Sequence, residues 1–416
     1  MNLNLLSVKL YNNKKVIENY FFMTALQALN SLFYLAIYPF LIRTMGAEPY
    51  GLYVFAMSIV AYFMSLVNFG FEMPAVKEIA QHPGDDEIKT KTLSCVFTAK
   101  VYLEIISGII FIILISIIPA LHRHWWLYTI CFANTVAGIL FPIWYFQGMQ
   151  MMRVVTYIQV GLKLLSLPFI FLMIQTPADV GLFAFIATSS NVLGAIVAAI
   201  MIRNYDRISI RWMNFGEITV WYKDALPFFW SNAMSIARQQ STITIIGAFF
   251  SMGDVALYDL ANKIVTIPTT FTANINAALF PKMVSSVNKY SIKKLLKYEF
   301  VIGCSVIVAF ILFGKAVITI LGGVSMMGAY PILVILGFSI LVPLLVGNCY
   351  GFIFVPNRLY AIIAKNQLVA LVTYFVIAII GLFFCKNIIV VPVAMLVSGM
   401  AEIMCCSIQI YRLRLL

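Results

Sequence analysis

Long uncharged apolar runs constrain this chain more than any other feature of its sequence. Residues Ile105–Ile118 and Ile302–Phe313 contain no charged side chain. Of all residues, 62% are hydrophobic and 11% are charged, whereas average soluble domains are ~45–50% apolar and ~25% charged. A bilayer stabilises such a chain if every backbone amide is bonded within a helix or a closed barrel. Because the runs lack the alternation of barrel strands, the sequence predicts an all-α membrane protein.

The lengths of the apolar segments predict about 12 transmembrane helices. A bilayer core needs about 20 helical residues to cross it, and this window sets the predicted spans. They lie near residues 17–42, 50–71, 93–118, 125–147, 154–174, 181–202, 225–250, 255–280, 299–321, 329–353, 366–385 and 388–411.

The distribution of Lys and Arg predicts that both termini are cytoplasmic. Short cytoplasmic loops are enriched in these residues, and with the N-terminus inside the outer loops hold only Arg43, Arg123 and Lys386. The net charge of +12 therefore reflects topology, and we expect no nucleic-acid partner. The inner segments hold 20 of the 28 basic residues, namely Lys9, Lys14, Lys15, Lys77, Lys89, Lys91, Arg153, Arg203, Arg207, Arg211, Lys223, Lys282, Lys289, Lys293, Lys294, Lys297, Arg358, Lys365, Arg412 and Arg414.

Two short motifs predict that the chain is an internal duplication. Gly51-Leu52-Tyr53 at the start of the second span aligns with Ala256-Leu257-Tyr258 at the start of the eighth, an offset of 205 residues. Six spans per half place the halves in the same orientation, related by an axis along the membrane normal. We therefore expect two pseudo-symmetric six-helix lobes, residues 1–202 and 225–416, joined by a cytoplasmic linker, residues 203–224.

Ionisable residues inside the predicted spans form the candidate site. Charged groups in a bilayer are costly, and they usually face the protein interior or a wet cavity. We expect a cationic, substrate-binding cavity and a polar lining, with the acidic residues as candidates for proton or ion coupling. The cations are Arg238, Lys263, Lys163, Lys315 and Lys100; the polar residues are Gln27, Asn30, Asn68 and Gln239; the acids are Glu402, Glu104 and Asp259.

Helical spacing predicts two ion pairs within this set. Lys100 with Glu104, and Asp259 with Lys263, are each four residues apart, and such residues share one helix face. Arg238, Lys163 and Lys315 have no acid nearby in the sequence. Lys315 could instead extend its amine outward to the membrane surface. Glu402 could instead form a hydrogen bond to another helix. An excess of cations favours an anionic substrate such as a phosphate or diphosphate.

No motif in the sequence favours an enzyme or a resident cofactor. The chain has no phosphate-binding loop, nucleophile elbow or zinc-protease motif. Its seven cysteines lie in or beside apolar runs without metal-ligand spacing, which indicates small buried hydrophobic residues. A membrane polymerase or ligase acting on lipid-linked sugars is the enzymatic alternative, but the predicted outer loops are short. A structural or channel subunit is a further alternative.

Several strings resemble those of a known transporter family. They are Tyr38-Pro39-Phe40-Leu41-Ile42-Arg43-Thr44-Met45-Gly46, Tyr50-Gly51-Leu52-Tyr53-Val54-Phe55, Asn68-Phe69-Gly70-Phe71 and Leu257-Tyr258-Asp259-Leu260-Ala261-Asn262-Lys263-Ile264. With these strings the chain resembles the Wzx-type flippases of O-antigen and polysaccharide repeat units, in the multidrug/oligosaccharidyl-lipid/polysaccharide exporter superfamily.

The resemblance implies a MATE-like, V-shaped transporter that works by alternating access. Its substrate would be an oligosaccharide linked to undecaprenyl diphosphate, moved from the cytoplasmic to the periplasmic leaflet of a bacterial inner membrane by an ion gradient. Membrane lipids, a polysaccharide polymerase and a chain-length regulator are the partners expected. A flippase for the peptidoglycan lipid precursor and a cation-coupled drug exporter remain alternatives, although a drug-cation exporter would favour acids in its cavity.

Overall fold

The computed structural model describes residues 3–205, 208–285, 289–357 and 359–413, and these form helices joined by short connections without any strand. Seven of the predicted inner-surface charges have side chains outside the described part: Lys9, Lys14, Arg207, Lys282, Lys289, Arg358 and Arg414. The prediction of an all-α architecture is confirmed for the described residues.

The helices up to the predicted linker follow the predicted spans closely, with one span divided. A short amphipathic helix, α3, lies between the second and third predicted spans. Asp85 caps α4, the helix that follows, by accepting hydrogen bonds from the backbone N–H groups of Glu87 and Ile88 at 3.0 Å. The helices are α1 (Leu3–Met45), α2 (Ala47–Asn68), α3 (Glu72–Gln81), α4 (Asp86–Ile117), α5 (Pro119–His122), α6 (Trp125–Phe132), α7 (Asn134–Leu140), α8 (Ile143–Gly148), α9 (Met152–Met173) and α10 (Val180–Tyr205).

The rest of the chain repeats this pattern of long helices with one divided span. A π-helical segment, Cys349–Phe354, continues α15, and short 3-10 turns occupy Pro177–Asp179 and Val324–Met326. The helices are α11 (Phe215–Phe249), α12 (Met252–Ser285), α13 (Lys289–Gly322), α14 (Ala329–Phe338), α15 (Leu341–Asn348), α16 (Tyr360–Phe384) and α17 (Val390–Arg412).

Ten helical stretches of the described residues are long and apolar enough to cross a membrane. The predicted spans 225–250 and 255–280 coincide with α11 and α12, which are not among the ten. Both helices are long enough, since 34 residues span about 50 Å at 1.5 Å per residue. The polar run Arg238–Thr242 lowers the hydropathy of α11. The count of twelve therefore stays a prediction.

From Leu103 onward, both faces of α4 are predominantly apolar and carry no charge apart from Glu104, as expected for a helix in lipid. Ile105, Ile109 and Ile112 are between 55% and 64% exposed on one face, while Leu103 and Phe111 are buried on the other. Exposing an isoleucine to water instead of an apolar medium costs roughly 1.5–3 kcal/mol. A helix that is hydrophobic all round is stable only inside a large core or a membrane.

The chain packs as two compact units. The first contains Met1–Phe33 with Ala56–Ala233, and the second contains Tyr34–Phe55 with Met234–Leu416. Aromatic and small residues form the core of the first unit, including Phe71, Ala99 and Tyr145. In the second, Phe352 and Phe354 of the π-helical segment pack with their neighbours from α15 and α17. The predicted lobe boundaries, residues 1–202 and 225–416, stay a prediction.

Candidate substrate site

A small cavity in the first unit, with one polar side, contains Lys163, one of the predicted cavity cations. The cavity has a volume of about 200 Å³, and its wall is formed by residues of α2, α7, α9 and α10 and of the segment 141–143. Lys163 Nζ donates to Asn30 Oδ1 of α1 at 2.6 Å and lies 5.4 Å from the centroid of the Phe33 ring. The structure thus brings together the predicted residues Lys163 and Asn30.

The wall of this cavity is rich in neutral hydrogen-bonding side chains. Asn134 is buried in it, donates to Thr188 Oγ1 at 2.9 Å and accepts from Asn191 Nδ2 at 2.8 Å. Gln159, Ser190 and Asn191 complete its polar side. Amide and hydroxyl groups beside a single ammonium provide donors and acceptors for a phosphate or a sugar ring. At 200 Å³ the cavity holds one such group, since drug-sized ligands occupy ~300–1,000 Å³.

Lys100 and Glu104 do not form the ion pair that their spacing predicts. Lys100 Nζ donates to Asn68 Oδ1 at 2.8 Å and to the Gly138 carbonyl at 3.4 Å. Glu104 Oε1 instead accepts from Thr135 Oγ1 at 2.6 Å, and its buried Oε2 has no hydrogen-bond partner. Both side chains bond α2 or α7, because these helices offer polar groups within reach. The prediction of a self-neutralised pair was wrong.

Arg238 in the second unit is paired, contrary to its interpretation as an unpaired cation. Its Nη1 donates to Glu402 Oε2 of α17 at 2.9 Å, and Tyr350 Oη donates to Glu402 Oε1 at 2.8 Å. Only 17% of the Arg238 side chain and 4% of the Glu402 side chain are exposed. The acid comes from a helix far along the chain, so local spacing could not reveal it. Glu402 makes the interhelical bond that the sequence left as its alternative.

The ion pair predicted between Asp259 and Lys263 is confirmed and includes a tyrosine. Lys263 Nζ donates to Asp259 Oδ2 and to Tyr50 Oη, each at 2.8 Å, while Tyr50 Oη donates to Asp259 Oδ2 at 2.9 Å. The ammonium also lies 4.5 Å from the centroid of the Tyr34 ring. Asp259 and the rings thus offset the charge of Lys263, so it has little excess charge for a ligand.

The other predicted residues have different surroundings. Lys315 is exposed on α13 near the exposed Phe313, with its ammonium 5.2 Å from the centroid of the Tyr330 ring. This position fits the alternative of an amine extended to the membrane surface. Gln27 is exposed, and Gln239 is exposed with a bond to Ser235. Asn68 is bonded to Lys100, as described above.

Sequence reasoning missed the amides that line the small cavity. Asn134, Gln159 and Asn191 lie within predicted spans, as Asn30 does. Their position inside the membrane-spanning segments could therefore have identified them as cavity residues, as it did for Asn30. Among the residues that the structure describes, no group of three His, Cys, Asp or Glu could hold a metal ion. The described cysteines are all free thiols.

Comparison with known proteins places this architecture in a family. The model of the family described as "Polysaccharide biosynthesis protein" matches residues 16–287, which is more than half of the chain. The chain belongs to this polysaccharide biosynthesis protein family. The match includes α1 from residue 16 onward, all of α2 to α12 and the Tyr50–Asp259–Lys263 cluster, so this family member carries its candidate sites largely within the region that defines the family.

Two curated relatives of this polysaccharide biosynthesis family member share one name, "Putative O-antigen transporter". The relative from Escherichia coli (strain K12) is 23% identical over 350 residues, which cover 84% of this chain and 78% of the relative. The relative from Shigella dysenteriae is 22% identical over 287 residues, 67% of this chain and 70% of the relative. The resemblance predicted from the sequence motifs is confirmed, and these relatives are transporters by name rather than enzymes.

Solved structures of transporters share the fold of this family member. The Lipid II flippase MurJ in an inward closed conformation has a TM-score of 0.66 at 13% identity, covering 94% of this chain and 87% of that one. An inward-facing multidrug resistance MATE family transporter of the MOP superfamily has a TM-score of 0.64 at 13% identity, covering 94% and 95%. The prediction of a MATE-like fold is confirmed.

Proposed function

We propose that this chain is a flippase for an oligosaccharide linked to undecaprenyl diphosphate, the precursor of an O-antigen or capsule. The single observation that carries the proposal is the small cavity around Lys163, lined in part by amide and hydroxyl groups, in a member of a polysaccharide biosynthesis family. A diphosphate and sugars cross hydrocarbon slowly because unsatisfied polar groups cost several kcal/mol each there. Polar groups inside the bundle lower that cost for the headgroup while the isoprenoid tail stays in lipid.

The direction of transport is from the cytoplasmic to the periplasmic leaflet of the bacterial inner membrane, with both termini cytoplasmic. The distribution of Lys and Arg among the predicted loops supports this orientation. The relatives named as O-antigen transporters support a saccharide-linked substrate over a drug cation. The lipid precursor of peptidoglycan is the second candidate, which the likeness in fold to the Lipid II flippase favours. A polymerase and a chain-length regulator would act on the product.

Lys163 is the cation that we assign to the headgroup, because it lines the 200 Å³ cavity together with amide and hydroxyl side chains. Replacing Lys163 by Met should reduce surface polysaccharide at least tenfold in cells that lack the native gene. Lys163→Arg should restore part of it, because charge is kept while the geometry changes. Lys315→Met is the matched control, as it removes a lysine that is exposed on α13. Equal glycan levels for Lys163→Met and wild type, at equal membrane abundance, would contradict the assignment.

Glu104 is the acid that we assign to ion coupling. Cations neutralise Glu402 and Asp259, whereas one carboxylate oxygen of Glu104 is buried without a partner. An uncompensated buried carboxylate is costly, and a bound proton removes its charge. Glu104→Gln should therefore leave substrate binding intact and abolish the response of transport to an imposed pH gradient. A full pH-gradient response in Glu104→Gln, at the same amount of protein in the vesicles as the wild type, would reject this role.

A further inference from the structure

A second cavity in the first unit combines an apolar wall with two cations. Its volume is about 450 Å³, and it lies among α4, the segment 139–144, α10 and the segment 208–210 that precedes α11. Lys100 and Arg203 contribute the positive charge, and Ser209 is its other polar side chain. The remaining lining residues are hydrophobic, among them Trp144 and Ile208.

Lys100 carries its charge into this region without an acid at ion-pair distance among the described residues. Its side chain is almost fully buried, at 2% exposure, and both of its hydrogen-bond partners are neutral, the Asn68 amide and the Gly138 carbonyl. The exposed Glu72 attracts this ammonium only from beyond that distance. A buried charge is costly unless it is compensated. An anion held in the cavity would supply the compensation.

The lining decides what kind of anion fits. Among the lining residues that the structure describes, there is no carboxylate that would repel an anion and no amide that would hydrogen-bond sugar hydroxyls, in contrast to the 200 Å³ cavity around Lys163. We infer that the cavity binds an anionic phospholipid. The exposed Arg203 holds the phosphate at the rim, Lys100 attracts it from inside, and part of one acyl chain packs on the hydrophobic wall.

The position of the cavity gives the bound lipid a structural effect. One wall is the segment 208–210, and the residues that follow are tied to α4 by two hydrogen bonds. Arg211 N–H donates to Ser94 Oγ at 3.0 Å, and Met213 N–H donates to Thr98 Oγ1 at 3.3 Å. A lipid packed between this segment and α4 adds contacts that only the folded state offers, so it stabilises the packing of residues 208–213 on α4.

The test measures thermal unfolding of the purified full-length protein in detergent with added phosphatidylglycerol or phosphatidylcholine. Phosphatidylglycerol should raise the Tm by several degrees more than phosphatidylcholine at equal concentration. Arg203→Gln should lose at least half of this difference. Ala199→Phe, which fills the cavity from α10, should lose the whole difference between the two lipids.

Two considerations control for unrelated effects. Lys315→Gln, which removes an exposed cation elsewhere, should keep the difference between the two lipids. Arg203 is exposed, so its variant should fold even if Lys100→Met does not.

Three outcomes would overturn the lipid site. They are equal stabilisation of the wild type by both lipids, an unchanged difference in both Arg203→Gln and Ala199→Phe, and displacement of phosphatidylglycerol by tenfold less undecaprenyl phosphate. The last would make the cavity a substrate site. The inference rests on the proposed function only in assuming a membrane transporter. Glycan transport measured on the same variants separates the two claims, because the lipid response is read from Tm without substrate.

Discussion

Single residues that look alike in the sequence have different electrostatic surroundings in the fold. Arg238 and Lys163 both lie within predicted spans, and neither has an acid nearby in the sequence. Arg238 is bonded to Glu402, which is 164 positions further along the chain, whereas Lys163 is bonded to the Asn30 amide, 133 positions earlier. Residue types and helical spacing predicted interior positions for Arg238 and Lys163, which are partly buried, but Lys315, Gln27 and Gln239 are exposed. These patterns could not predict long-range partners, so the Asp259–Lys263 pair was found and the Arg238–Glu402 pair was missed.

The Arg238–Glu402 pair leads to a prediction about stability rather than binding. Breaking a buried pair by removing one partner costs about 3–5 kcal/mol, because the other charge is left uncompensated. Arg238→Met and Glu402→Gln should therefore each lower the Tm in detergent by at least several degrees. The double variant should recover much of that loss, since no lone charge remains. Thermal unfolding of the four proteins measures this, and additive losses in the double variant would show that the pair is not coupled.

At the scale of helices, hydropathy predicted where most helices lie, but it did not predict where helices are interrupted. Nearly every predicted span lies on a helix, but two spans are divided. The fourth is interrupted at Ala133 and at Phe141–Pro142, and the tenth is interrupted at Ser339–Ile340. Apolar composition continues through these breaks, so a hydropathy window does not register them. The break before α8 follows from Pro142, which lacks the N–H needed to continue α7.

The packing at the start of α2 explains the glycine in Tyr50–Phe55, one of the strings that carry the family resemblance. A Cβ added at Gly51 would lie 1.7 Å from the backbone oxygen of Met252 and 3.3 Å from the backbone nitrogen of Ala256. The two aligned motifs of the predicted duplication, at Gly51 and at Ala256, therefore pack directly on each other within the second unit. This contact brings Tyr50 to Asp259 and Lys263.

Gly51→Ala should consequently separate α2 from α12 and disturb the tyrosine–aspartate–lysine cluster. The expected effect is a loss of a few kcal/mol of stability, as for overpacking of a close-packed contact. Gly108→Ala on α4 is the matched control, because a Cβ there meets nothing within 4 Å. Alanine should leave that helix unchanged or stabilise it by about 0.5–1 kcal/mol. Thermal unfolding in detergent compares them, and equal Tm values would contradict the close approach.

For the whole molecule, composition and span lengths were sufficient to predict the fold class. The four sequence strings predicted the family. Their glycines and aromatic residues make specific contacts between helices, such as the stacking of Phe69 on Phe229, whose ring centroids are 4.4 Å apart. The candidate site was predicted only in part. Its cations were among those named from the sequence, but charge balance depends on which helices meet, and the amide wall around Lys163 needed the three-dimensional arrangement.

Transport by the purified chain in vesicles tests the account most directly. The protein is reconstituted with a fluorescent oligosaccharide linked to undecaprenyl diphosphate, and a membrane-impermeant reductant reports how much substrate reaches the outer leaflet. We predict that the wild type accelerates this transfer at least tenfold over protein-free vesicles, that Lys163→Met loses most of the acceleration, and that the substrate is chemically unchanged afterwards. Transfer no faster than in protein-free vesicles, or conversion of the substrate into longer or cleaved products, would contradict a flippase.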